Sequence, residues 1–173
     1  MKLFPFFLLI VFFSSSVDTT EIATFKISHV INNSIEYGKF LDKLDVLKTK
    51  MQNELLEDEN QLIETKNKIE ESKIIFSESE YNQQIEDYNI LANLFKEKFG
   101  EFNNHINMNI ERNKEIVINE IIDIVKILSS NKKIDIILNE DQYFLDSDDI
   151  DISKQIIEIL NKKNLDLAVI KLP

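Results

Sequence analysis

The chain has 173 residues, no cysteine, only two glycines and two prolines, and a formal net charge of −11. Without cysteine there are no disulfides and no thiolate zinc sites. A surface this acidic repels phosphate backbones and argues against nucleic acid as a partner.

Met1-Lys2 precedes an unbroken apolar run, Leu3 to Phe13, and then Ser14-Ser15-Ser16. A basic start, a short apolar run and small residues at a cleavage point describe a secretory signal peptide over residues 1–16, cut after Ser16 or as late as Thr20. The run falls short of the roughly 20 residues of a spanning helix, and a retained signal anchor is the other reading. No cysteine follows it, so lipoprotein processing is excluded.

Residues 17–40 read as the first part of a body. Ile22 to Ile27 is predicted as a strand with Ala23, Phe25 and Ile27 on one face. Ser28 is placed to cap a short helix carrying Val30, Ile31, Ile35 and Tyr37, with His29 at its start in a capping or surface role, and Gly38 bends the path into a first long arm.

Residues 41–128 carry a heptad repeat. Leu41, Leu55, Leu62, Ile69 and Phe76 fall at multiples of seven, with Lys48 filling the missing step. Tyr81, Ile85, Tyr88, Ala92, Phe95, Phe99, Phe102 and Ile106 follow at steps of four and three. Such spacing keeps one seam of a helix facing a partner helix, so the segment reads as two long arms folded on each other. The two frames disagree between Phe76 and Tyr81, and Ser77-Glu78-Ser79-Glu80 favours caps and turns, which puts the turn in Ile74 to Gln83. One continuous helix is the alternative. The first arm also has Asp58, Thr65 and Ser72 at seam sites. Each apolar side chain missing there forgoes about 1.5 to 3 kcal/mol of burial, so the far half of the hairpin is expected to be marginal. In the second arm the seam shifts phase between Ile110 and Val117, and the apolar stripe then widens through Ile121, Ile124 and Leu128 where the arms meet the body.

Residues 129–173 complete the body. Ser129-Ser130-Asn131 ends the helix, Ile134 to Leu138 reads as a strand, and Gln142 to Leu145 as a second short one after the turn residues Asn139-Glu140-Asp141. Asp146-Ser147-Asp148-Asp149-Ile150-Asp151 resembles a calcium loop, yet Asp151 stands where such loops need glycine and Ile157 where they need glutamate. It reads as a solvated loop in which Asp151 caps a last helix lined by Ile152, Ile156, Ile159 and Leu160. The tail from Leu165 to Pro173 alternates weakly and carries no assignment.

The order of these elements resembles the Skp/OmpH family of periplasmic chaperones. The residues that carry the resemblance are Ile22-Ala23 opening the first strand, Ile134-Asp135-Ile136-Ile137-Leu138 before Tyr143, and Asp151-Ile152-Ser153 before the final helix, where the family usually has Asp-Ile-Thr. The resemblance implies an α+β fold: a small β-barrel body shared between the subunits of a homotrimer, with one coiled-coil hairpin, or tentacle, per chain. It implies a periplasmic holdase that keeps unfolded outer-membrane proteins soluble between the arms without ATP. Phe25, Ile27, Ile134, Ile136, Leu138 and Tyr143 are then the candidates for the trimer body, and Ile74, Ile75, Phe76 and Tyr81 near the tips for client contact. The tip segment has Glu70, Glu71, Glu78, Glu80, Glu86 and Asp87 against Lys73 alone, which argues against contact with anionic lipid. A structural spacer of the cell envelope is the competing reading. No phosphate loop, metal-ligand cluster or nucleophile motif appears, so the sequence names no catalytic residue, no metal and no cofactor.

Overall fold

The computed structural model describes residues 19–171, so the segment read as a signal peptide lies outside the described residues. Two helices dominate: α2, Ile35–Ser72, and α3, Glu78–Lys132. At 1.5 Å per residue they run for about 57 and 82 Å. They form a hairpin whose turn, residues 73–77, is shorter than expected and leaves Tyr81 inside α3. The turn is held by chemistry the sequence carries openly. The Ser77 hydroxyl and backbone N–H meet the Glu80 carboxylate, and the Glu80 N–H returns to the Ser77 oxygen, forming a capping box.

The first arm starts earlier than its heptads suggest. Ser34 caps α2 through the Tyr37 N–H, so Ile35 and Tyr37 belong to the arm and not to the short helix α1, Ile27–Asn32. Gly38 lies within the first turn of α2 and has no positive φ, so it continues the helix instead of breaking it. At this root Phe40 and Leu44 are buried, while Leu41 and Lys48 face solvent. From Leu55 to Ser72 the expected frame holds: Leu55 and Ile69 are buried, Asp58, Leu62 and Thr65 between them are half-buried, and so is Ser72 beyond, whereas Phe76 is exposed.

Strand β1, Ile22–Phe25, is shorter than expected because Lys26 already caps α1. It pairs in parallel with β2, Ile136–Asn139, in the register Ile22 to Ile136 and Phe25 to Asn139. The whole hairpin is the crossover that a parallel pair requires. The predicted strand over Gln142 to Leu145 does not form. Gln142 instead ends a 3-10 turn, Glu140–Gln142, and its side chain accepts from the Asn139 N–H, which turns the chain away from the sheet. A bridge to Asp151 takes the place of that strand: the Thr24 N–H donates to the Ile150 carbonyl and the Ile152 N–H to the Thr24 carbonyl, both at 2.9 Å. Thr24 is therefore buried on what the alternation marked as an outer face. No closed barrel forms among the described residues of one chain, and the sheet is a two-stranded pair.

Helix α3 continues through Ser129-Ser130-Asn131 and stops at Lys133, which takes a left-handed backbone. The last helix α4, Ser153–Leu160, has Ile152 at the cap position, with the Asp151 carboxylate reaching past it to the Ser153 N–H at 2.8 Å. Ser28 does not cap α1; its hydroxyl donates to Glu140, which also accepts the Ser28 N–H.

One core sits at the root of the arms. Phe40 and Leu44 of α2, and Val117, Ile121, Ile124 and Leu128 of α3, meet Val30 of α1, Phe25 of β1 and Ile152, Ile156 and Leu160 of the last segment. Along α3 the buried positions Phe102, His105, Asn109, Asn113, Val117, Ile121, Ile124 and Leu128 step by four through the middle. Steps of four outrun the 3.5-residue repeat and rotate the stripe from the partner arm toward the body, which is the phase shift seen in the sequence.

Candidate functional site

The arms leave the core behind and carry an apolar surface into solvent. At the turn Ile74 is 95 % and Ile75 83 % exposed, Phe76 lies beside them, and Tyr81 is half-buried with the Lys73 ammonium 5.8 Å from its ring centre. No backbone rule requires isoleucine there, since the Ile75 and Phe76 N–H groups donating to the Ser72 carbonyl, together with the capping box, close the turn whatever the side chain.

Halfway along the arms the seam is incomplete, and a groove opens on each side. One, of about 230 Å³, is lined by Asp58, Gln61, Leu62, Thr65, Leu91, Leu94, Phe95 and Lys98. The other, of about 410 Å³, lies between Leu55, Leu56 and Glu59 on one arm and Phe95, Phe99 and Phe102 on the other. Asp58 pairs with Lys98 across the arms, and this contact holds the lysine pKa above its usual value. A polar seam leaves the neighbouring apolar side chains only partly covered: Leu56, Leu91, Leu94 and Phe99 are each about half exposed. Sequence reasoning missed Leu56, Leu91 and Leu94 and set Phe99 in the seam. Their signal was an apolar residue flanking a polar seam position.

The residues named for the trimer body divide. Phe25, Ile27 and Ile134 pack into the chain's own core, and Leu138 is half-buried. Ile136 is exposed, and so is Ile22, its register partner on β1. Beyond β2, Phe144 and Leu145 stand in solvent, and sequence reasoning had hidden them in a strand. Tyr143 keeps its hydroxyl buried without a hydrogen-bond partner among the described residues. Burial, then the nearby Asp146 charge, pushes its pKa up.

The family model for OmpH-like outer membrane proteins matches residues 21–160. The chain belongs to the OmpH-like family. Its fold is similar to that of a solved OmpH-like protein from Caulobacter crescentus CB15, assigned as an outer membrane chaperone, with a TM-score of 0.73 at 14 % identity, covering 83 % of this chain and 85 % of that one. At that identity the likeness is one of fold. No curated protein sequence matches the chain. The OmpH-like match spans both arms, with their exposed apolar surface, and the body, and it ends with α4. No helix among the described residues is long and apolar enough to cross a membrane.

Proposed function

We propose that this OmpH-like chain is an ATP-independent holdase of the periplasm that keeps unfolded outer-membrane proteins soluble between helical arms. The observation that carries the reading is the separation of two apolar surfaces. One is a closed core at the root, and the other runs exposed along the arms through Leu56, Leu91, Leu94 and Phe99 to Ile74 and Ile75. Many shallow contacts of this kind sum to appreciable binding while each breaks easily. The incomplete seam lets the arms adjust to clients of different size. The acidic tip sets these contacts apart from binding to anionic lipid.

Assembly belongs to the same proposal. Ile22 and Ile136 form an exposed apolar pair on a two-stranded sheet whose β2 edge is open, Phe144 and Leu145 stand exposed further along the chain, and an open edge of that kind wants strands from other chains. A homotrimer with a shared β-barrel body covers it, and the signal peptide over residues 1–16 delivers the chain to the periplasm. The mature chain added to an outer-membrane β-barrel protein diluted from urea should suppress light scattering without nucleotide. A trimeric protein that leaves aggregation unchanged would be an envelope spacer instead.

A further inference from the structure

The tail that the sequence left unassigned joins no sheet: after a tight turn in which the Leu167 N–H donates to the Leu165 carbonyl it runs along α3, and side chains hold it by its backbone. The Asn113 amide oxygen accepts the Ala168 N–H and its nitrogen donates to the Ala168 carbonyl, both at 3.1 Å. One turn away, Asn109 does the same to Ile170, accepting at 2.7 Å and donating at 3.2 Å. His105 adds a third contact, its Nε2 lying 2.6 Å from the Ile170 carbonyl; a carbonyl only accepts, so this nitrogen carries the proton.

The geometry arises from two repeats. Four helical residues advance about 6.0 Å and two extended residues about 6.6 Å, so amides at i and i+4 meet alternate residues of a strand. Each asparagine thus presents a donor and an acceptor as a neighbouring β-strand would. The second N–H of each amide goes to its own helix, to the His105 carbonyl at 3.0 Å and the Asn109 carbonyl at 2.8 Å. The helix itself therefore orients both amides, and the tail is not needed to place them. With the tail seated, Asn109 is 1 % and Asn113 0 % exposed. Leu165, Leu167 and Val169 point onto the apolar core, and Asp166, Ala168 and Ile170 point outward.

Every polar contact here goes to main-chain atoms, so nothing in the groove reads the tail's sequence beyond alternate apolar residues. The family match ends at residue 160, so the groove on α3 lies inside it and the occupant outside. We propose that this groove is a binding site for extended polypeptide, filled in cis by residues 165–171 and open to an alternating-apolar segment of an unfolded β-barrel protein that displaces them. The choice of that client rests on the function proposed above; transmembrane β-strands have the required alternation.

The test uses the full chain. A labelled peptide with the sequence Asn164 to Lys171 is added in excess, beside an unrelated peptide of alternating leucine and threonine, and a copy of the first N-methylated at the positions of Ala168 and Ile170. Amide exchange of the protein's own Ala168 and Ile170 is followed throughout. Both unmethylated peptides should bind and speed that exchange by about tenfold or more, and the methylated one should do neither. Unchanged or slower exchange at saturating peptide, or equal action of the methylated copy, overturns the proposal. An unfolded outer-membrane β-barrel protein diluted from urea should produce the same rise. Suppressed aggregation with Ala168 and Ile170 still protected would overturn the groove as a client site and leave the holding function standing. Unsuppressed aggregation would remove the holding function, and the peptides would still decide the groove.

Discussion

Lys26 places its ammonium 3.1 Å from the Asp151 carboxylate, tying the end of β1 to the start of α4 at the surface of the body. Burial of Asp151 by itself pushes its pKa up, but the hydrogen bonds from Ser153 and Lys26 together outweigh it and hold the carboxyl below its usual value. Lys26 is raised in turn, first by its hydrogen bond to Asp151 and then by the charges of Asp151 and Asp146. A depressed carboxylate stabilises the fold above its unfolded pKa of about 3.9, and that stability is lost as pH falls through the folded value. The raised lysine contributes below about pH 10.4 and loses its contribution only above that, so between these limits both act. Asp151→Asn should lower stability at pH 7 by about 1.5 kcal/mol, through the weakened bond to the Ser153 N–H. It should also flatten the acid limb. Thermal melts at pH 7, 5 and 3 should converge for variant and parent as pH falls; a constant gap would refute the linkage.

Both glycines sit inside long helices without positive φ, and a Cβ added at Gly38 or Gly100 meets nothing within 4 Å. Neither is needed for a turn or a close approach. Gly38→Ala and Gly100→Ala should each stabilise the protein by about 0.5 to 1 kcal/mol, by lowering the entropy of the unfolded chain. The two sites are far apart, so the gains should add in urea unfolding. A loss at Gly38 would mean that the root of the first arm does need its flexibility.

The capping box at the tip predicts a local effect. Ser77→Ala removes the acceptor for the Glu80 N–H and the donor to the Glu80 carboxylate. About 1 kcal/mol of helix-start stability should go with it. The turn is remote from the core, so exchange should quicken in residues 78–82 while the main thermal transition stays in place. A shift of the whole transition would show that the tip and the root unfold as one unit.

The hairpin was legible because a heptad repeat reports on the face that meets another helix, and from Leu55 to Ile69 the reading placed the seam residue by residue. It failed at the root, where Phe40 and Leu44 turn toward the body and the repeat no longer describes one partner. The buried His105, Asn109 and Asn113 carry no assignment from the sequence, because apolar periodicity finds only apolar partners. Their partner is a backbone, which rewards amides. The visible signal was polar residues continuing a four-residue step that ran on into Val117 and Ile121. Phe144 and Leu145 misled for the opposite reason: they favour strands, but the capping chemistry of Asn139 and Gln142 ends the strand before them.

Holding and assembly should separate in a shortened hairpin. Asp58 faces Lys98 across the seam, which fixes the arms' pairing and shows which stretches to remove together. Deleting residues 56–69 and 87–100 takes two heptads from each arm, about 21 Å at 1.5 Å per residue. The turn and its capping box remain, Ser72 takes the place of Asp58, and Phe102 takes the place of Tyr88, so both frames survive. The cut removes Leu56, Leu91, Leu94 and Phe99 together with both mid-arm grooves, and it leaves Ile22, Ile136, Phe144 and Leu145 untouched. Sedimentation should give the same oligomer for deletion and parent, and the deletion should suppress aggregation of an outer-membrane β-barrel protein several-fold less well. Undiminished suppression would place the holding surface elsewhere, at the tip or in the tail groove. Loss of the oligomer would make the arms part of the assembly.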